Sequence, residues 1–512
     1  MNFKDLIVPI GFAVMASLAL QYLFFGGKNG VEAEATFMVP KDRREYKPLN
    51  VEVDFSDSKR LGQAKVTDIE TEWGHVQFST DGASLESIDF KRELDGKIKS
   101  IRTIFPVTET ERENRCFLVA LQDKTPFYYT LVSSQESDDS YRLVYVSDTD
   151  ECSIKKTFVI NKERSKIDLI VDLTPKKGKS APVEARIFYP APLMPDLREN
   201  DVISSIVVDQ TATFSKKGVG QVELRRGWFS PELFGSDSRY FIHSLIADND
   251  KFAVRAYYKL EDRDRLFSVL EGPSVDTHAS WTLSFYFGPK ELDSLLAVDP
   301  RLEKTLDYSG WFAPIAKIML YLLRWFYKYL YNYGLAIMAI TLLFQLLLLP
   351  LSLRNNEEKW KKQQAEYNRK LAIVKQRFAN DPDRLSLEQA ELMRKEGLPS
   401  LGCILPLLLQ IPLFFALSRV LSCSFELYQA PMLWIPDLSA RDPYFILPAL
   451  VVLVMLAPDG KVDPQQRMSK IMMAVVFGAV TTTFSAGLVL YIFLSRVFGF
   501  IQTRVMKYFK LV

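Results

Sequence analysis

Apolar residues are distributed unevenly along the chain. From Leu6 to Phe25 the run LIVPIGFAVMASLALQYLFF carries no charge, and about twenty residues suffice to cross a bilayer core. Residues 1–26 therefore read as an N-terminal transmembrane anchor. The run exceeds the roughly 7–15 apolar residues of a cleaved signal, although Ala33-Glu34-Ala35 has the small-x-small form of a cleavage site. Residues 27–50 are polar and carry Pro40 and Pro48, as a linker would. Between 51 and 300, short runs alternate at period two, among them VEVDF, HVQFST, YRLVYV, KIDLIVDL and SWTLSFYF, and turn residues separate many of them. This pattern predicts a large all-β sandwich.

After Asp299-Pro300 the pattern changes to long apolar stretches, which places a helical core over 301–512. Lys317, Arg324 and Lys328 lie among many aromatics, as in an amphipathic helix at a membrane surface. Gly334 to Leu353 predicts a span, stopped by Arg354. Residues 354–397 are charged and helical in composition, broken at Asp381-Pro382-Asp383, and predict a polar helical hairpin. Further spans are expected over Leu401–Leu421 and Tyr444–Ala457, and two more within Ile471–Ile501, divided near Ser485-Ala486-Gly487. With the anchor this makes six spans, five of them in the core. Tyr444–Ala457 is short for a span, but keeping it places Lys4, the hairpin, Lys461, Arg467, Lys470, Arg504, Lys507 and Lys510 on the cytoplasmic side with both termini. The β domain then lies in the periplasm.

Charge adds little to this picture. Lys plus Arg number 64 against 62 Asp plus Glu, so no bulk positive field favours direct nucleic-acid recognition. Three histidines and four scattered cysteines offer no metal-ligand spacing, and neither a metal nor another cofactor is expected. Cys116 and Cys152 fall in the domain expected to face an oxidising compartment, which leaves open both a disulfide and two separate buried thiols.

Among the polar residues inside the predicted spans, which also include Thr481 to Thr483, the candidate site residues are Thr341, Gln345, Gln410, Tyr491, Ser495 and Arg496. For a lone Gln or Thr, a hydrogen bond between helices is explanation enough. Arg496 is costlier, at about 2.5–3.5 kcal/mol near a helix centre. Either a water-filled cavity or substrate path, or an ion pair or snorkelling to the inner interface, would accommodate it. Such a bundle suits protein insertion, a small-solute transporter or a channel, and composition alone does not choose.

The stretches LDYSGWFAPIAK, YNYGLAIMAIT, GCILPLLLQIPLFFAL, ELYQAPMLWIPDLSARDPYFILP and AGLVLYIFLSR, with Pro350-Leu351 ending the second span, resemble the bacterial YidC family of membrane protein insertases. The resemblance implies a multi-pass inner-membrane protein that is not an enzyme. Its five-span core would enclose a hydrophilic groove open to the cytoplasm, and its β domain would be a mutarotase-like supersandwich. Nascent membrane proteins, the ribosome, the Sec translocon and membrane lipid are the partners it implies. Client helices would slide along the spans that hold Gln410 and Tyr491. The family usually has an arginine at the position of Gln345, so Arg496 is the candidate replacement for the groove's positive charge.

Overall fold

The computed structural model describes residues 64–508 apart from 95–96, 107–108, 122–124, 177–182, 194–202, 223, 225, 262–264, 307–312, 355–356, 379–380, 397–400 and 458–463. The anchor, the linker and the VEVDF run expected from the sequence lie outside the described residues.

Period-two patterning produces three antiparallel sheets. One pairs β1 (Val66–Glu70), β2 (Gly74–Ser79), β3 (Ser84–Leu94) and β4 (Lys97–Ile104) in chain order. A second runs β13 (Trp228–Phe229), β16 (Arg255–Glu261), β17 (Arg265–Val275), β10 (Val183–Pro190), β5 (Leu118–Leu121). The largest runs β12 (Phe214–Gly218), β11 (Ser204–Val208), β14 (Leu233–Asp237), β15 (Phe241–Asp248), β18 (Ala279–Pro289), β9 (Lys166–Pro175), β8 (Cys152–Asn161), β7 (Ser140–Asp148), β6 (Thr130–Glu136). Strand β9 shows why the pattern works: Ile167, Leu169, Val171 and Leu173 are fully buried, while Lys166, Asp168 and Asp172 alternate with them on the outer face.

The three sheets enclose one core. Phe158 lies 4.7 Å from Phe78 and 5.8 Å from Phe117, and Phe117 meets Phe285 edge-on at 4.8 Å. Burying each such side chain contributes about 1.5–3 kcal/mol.

A second core joins sheet to helices. Ile206, Val208, Leu233, Ile242 and Ile246 of the nine-stranded sheet pack with Leu295 of α1 (Leu292–Val298), with Leu302 and Leu306, and with Met319, Leu320 and Leu323 of α2 (Ala313–Leu330). Beyond α2 come α3 (Tyr333–Arg354), α4 (Glu357–Arg377), α5 (Pro382–Glu396), α6 (Leu401–Cys423), α7 (Ile446–Leu456), α8 (Pro464–Thr481) and α9 (Ala486–Tyr508). Helix α2 packs on α3 and α6, α9 packs on α3 and α7, and α7 packs on α8. The α4 and α5 pair sits where the polar hairpin was expected.

Local chemistry sets the helix ends. The Asn332 side chain accepts the Leu335 amide at 3.1 Å, and Asp381 accepts the Arg384 amide at 3.2 Å. At the end of α8, the hydroxyls of Thr481, Thr482 and Thr483 donate back to the carbonyls of Gly478, Ala479 and Val480. These bonds cap the last carbonyls, and α9 starts at Ala486, beside the expected break. Helix α7 has 11 residues, about 16 Å at 1.5 Å per residue. Among the described residues no helix is long and apolar enough to cross a membrane.

Candidate functional site

Three of the six polar residues singled out in the sequence come together. Tyr491 of α9 is 2% exposed, and the side chains of Ser495, one turn along, and Gln410 of α6 lie beside its hydroxyl. Tyr491 Oη and Ser495 Oγ are both buried. A buried hydroxyl left unpaired costs about 1–3 kcal/mol, so these three side chains serve as polar partners for one another or for a polar group that reaches them. It lies among apolar neighbours that include the buried Leu413, Leu488 and Ile492.

The other three stand apart. The Thr341 hydroxyl is buried and donates at 2.7 Å to the Ile337 carbonyl of its own helix. Gln345 is half-buried on α3. Arg496 is exposed, with its guanidinium 5.7 Å from the centroid of the Phe477 ring on α8. Adjacent helical residues diverge by about 100°, so Arg496 turns toward α8 when Ser495 turns toward Tyr491.

A polar junction that sequence reasoning missed fixes the helices to the β domain. Arg92 of β3 is 7% exposed and donates to the Glu426 carbonyl at 2.6 Å and to the Tyr428 carbonyl. The Glu426 carboxylate in turn pairs with Arg324 of α2, which also meets Asp293 at 2.8 Å. Around this junction Tyr240 packs on Tyr428 at 4.6 Å and Phe241 on Phe425 at 5.3 Å. The α6–α7 loop is thereby held against the sandwich. One signal was available: Arg92 shares the inward phase of β3 with Phe90 and Leu94, where a charge needs a specific partner.

The β domain holds its histidines in structural roles. His243 is fully buried, with Nδ1 2.9 Å from the Pro190 carbonyl and Nε2 3.2 Å from Thr103 Oγ1, and it stacks on Phe287 at 4.3 Å. Burial pushes its pKa down to about 3, so it is neutral and closed to acid–base chemistry. His75 lies 3.4 Å from Asp68, and His278 Nδ1 lies 2.9 Å from Thr174 Oγ1.

Of the two alternatives left open for the cysteines, the disulfide falls. Cys116 and Cys152 are both buried and free. Cys116 neighbours Lys156, four residues along β8 from Cys152, which is about 13 Å of strand and beyond the reach of a bridge. Lys156, also unforeseen, is fully buried and donates to the carbonyls of Gly82 at 2.6 Å and Phe117 at 2.8 Å. Gly82 and Phe117 both have positive φ, which glycine adopts freely and phenylalanine does not, so this lysine ties down one strained turn at Phe117.

Sandwich and helices of this order match two known sequence families. The YidC periplasmic domain family model matches residues 66–322, half of the chain, and the 60Kd inner membrane protein family model matches 325–511. The chain is thus an inner-membrane protein with a periplasmic β domain. It belongs to the YidC family. Proteins named membrane protein insertase YidC from Geobacter metallireducens and Geotalea uraniireducens are each 28% identical to it. The first match covers 86% of this chain and 85% of the relative, the second 86% and 87%. An active YidC insertase crystal structure covers 89% of this chain and 95% of its own at 17% identity and a TM-score of 0.36. A putative aldose 1-epimerase from Escherichia coli K12 overlaps 44% of this chain at 9% identity and a TM-score of 0.27.

Proposed function

We infer that this chain is a membrane protein insertase whose client contact site is the buried polar cluster of Tyr491, Ser495 and Gln410. The observation that carries this reading is the convergence of the buried Tyr491 and Ser495 hydroxyls with Gln410 between apolar helices. A polar peptide group entering lipid loses its bonds to water, and polar side chains that can exchange partners with it reduce that cost. In this reading five spans of the core, α3 and α6–α9, surround a wet groove open to the cytoplasm. The termini and the α4–α5 hairpin face the cytoplasm, where the hairpin would meet the ribosome or a nascent client. The Sec translocon is a further partner in this reading, and α2 lies along the lipid surface.

Arg496 supports a hydrated space beside α8, since an exposed guanidinium facing hydrocarbon would be costly. Site-specific crosslinking of a nascent single-span client tests the reading. Crosslinks at Gln410 and Tyr491, and none at the exposed Leu347 of α3, are expected. Equal crosslinking at all three positions would remove the groove.

A further inference from the structure

The α6–α7 loop carries apolar side chains that the protein leaves uncovered. Leu433, at φ 52°, tips the tight turn closed by the Met432 and Ile435 backbone pair and is 83% exposed. Tyr444 and Phe445, just before α7, are 69% and 52% exposed. Trp434 Nε1 donates to Asp442 Oδ1 at 3.3 Å, so these two turns adjoin. Asp442 also accepts the amides of Tyr444 at 3.1 Å and Leu447 at 2.7 Å, which caps α7 and fixes the turn that presents the aromatics. The exposed cation Arg441 stands beside them.

We propose that this loop is a lipid-inserting wedge, with Leu433, Tyr444 and Phe445 in the periplasmic leaflet and Arg441 at its phosphates. The proposal rests on the insertase reading, which puts α6 and α7 in the bilayer. Three observations name lipid as the occupant. The apolar surface continues onto α7 through the exposed Ile446, Leu453 and Leu456. Aromatic residues next to an arginine match the chemistry of the headgroup boundary. Finally, α7 is about half the length of a ~30 Å hydrocarbon core, and apolar residues just before its first turn extend its lipid-facing length. The Arg92 junction on the preceding half of the loop holds the wedge at a fixed height below the sandwich.

The test uses full-length protein in phosphatidylethanolamine–phosphatidylglycerol vesicles. Its four cysteines are replaced by serine, and a fluorescent label is placed singly at Leu433→Cys, Tyr444→Cys, Leu453→Cys or Val132→Cys. Val132, 64% exposed on edge strand β6, is the aqueous control, and Leu453, 63% exposed on α7, is the membrane control. Nitroxide-bearing lipid should quench Leu433 and Tyr444 at least about twofold more than Val132, and iodide should do the reverse. Iodide quenching at Leu433 and Tyr444 with lipid quenching at Leu453 overturns the wedge and spares the insertase reading. Shielding from both quenchers means that protein covers the loop, which also overturns it. Absence of lipid quenching at Leu453 overturns both. Should the serine replacements fail to fold, brominated-lipid quenching of the unmodified protein, compared with Trp434→Phe, decides the point: the variant must lose a lipid-quenched component.

Discussion

Arg92 donates to the carbonyl oxygen of Glu426 at 2.6 Å across 334 residues of chain, and so bolts the β domain to the loop between α6 and α7. Burial pulls the Arg92 pKa down, opposed by Tyr333 and Glu426, and arginine stays charged regardless. Arg92→Met would leave the main-chain carbonyls of Glu426 and Tyr428 without their donor. A destabilisation of about 2–4 kcal/mol is expected, together with faster amide exchange at Phe425–Gln429. Exchange at those amides equal to that of the unsubstituted protein would show that the junction does not hold the loop.

That junction marks what the sequence could and could not reveal. Alternation over KIDLIVDL led directly to β9 because inward and outward positions are set locally by the pleat. The break between α8 and α9 was legible at Ser485-Ala486-Gly487, while the back-bonding of the three threonines before it, to the carbonyls of Gly478, Ala479 and Val480, shows only in the folded chain. The partner of Arg92 was not legible, because it lies hundreds of residues away and consists of main-chain carbonyls that any side chain would present. Lys156 was hidden by its own strand: its neighbours Ile154, Phe158 and Ile160 announce the buried face, yet a lysine there reads as an exception until Gly82 and Phe117 close on it. For the candidate site, helical spacing sets Ser495 about 40° from Tyr491 and Arg496 about 140° away, whereas no local pattern tells that Gln410 of a distant helix joins them.

The neutral His243 makes stability depend on pH. Its pKa is about 3 in the folded protein against 6.5 for the free side chain, so between these values the unfolded chain binds the extra proton. Its contribution is fully present above about pH 6.5 and is lost as pH falls toward about 3, at up to about 1.4 kcal/mol per pH unit. Thermal melts of the β domain's tryptophan emission should show a shallower decline over that window in His243→Gln than in the unsubstituted protein. Parallel declines would assign the acid sensitivity to other groups.

Free thiols predict a labelling pattern. In the folded protein Cys116 and Cys152 should resist alkylation, because both are buried and burial raises both thiol pKa values. After denaturation without reductant, peptide mass analysis should find both alkylated. Recovery of a peptide joining them would contradict the free thiols seen here.

Arg496 gives the sharpest test of the proposed groove. It sits on the face of α9 opposite the Tyr491 cluster, exposed and near Phe477, while Gln345 occupies a half-buried position on α3, which packs against α9. If the groove needs one cation at this depth to keep water in the membrane, its exact helix matters less than its field, because the water that it orders fills the space between helices. Arg496→Gln is therefore expected to lower insertion of a client with an acidic translocated tail roughly tenfold, equivalent to about 1.4 kcal/mol. Adding Gln345→Arg should restore most of that loss. A neutral-tailed client separates two roles: if water retention is what matters, it suffers as much as the acidic one, and if attraction to the tail is what matters, it is spared. Unimpaired insertion of both clients by Arg496→Gln would leave Arg496 as a surface residue held by Phe477 and confine the groove's chemistry to Tyr491, Ser495 and Gln410.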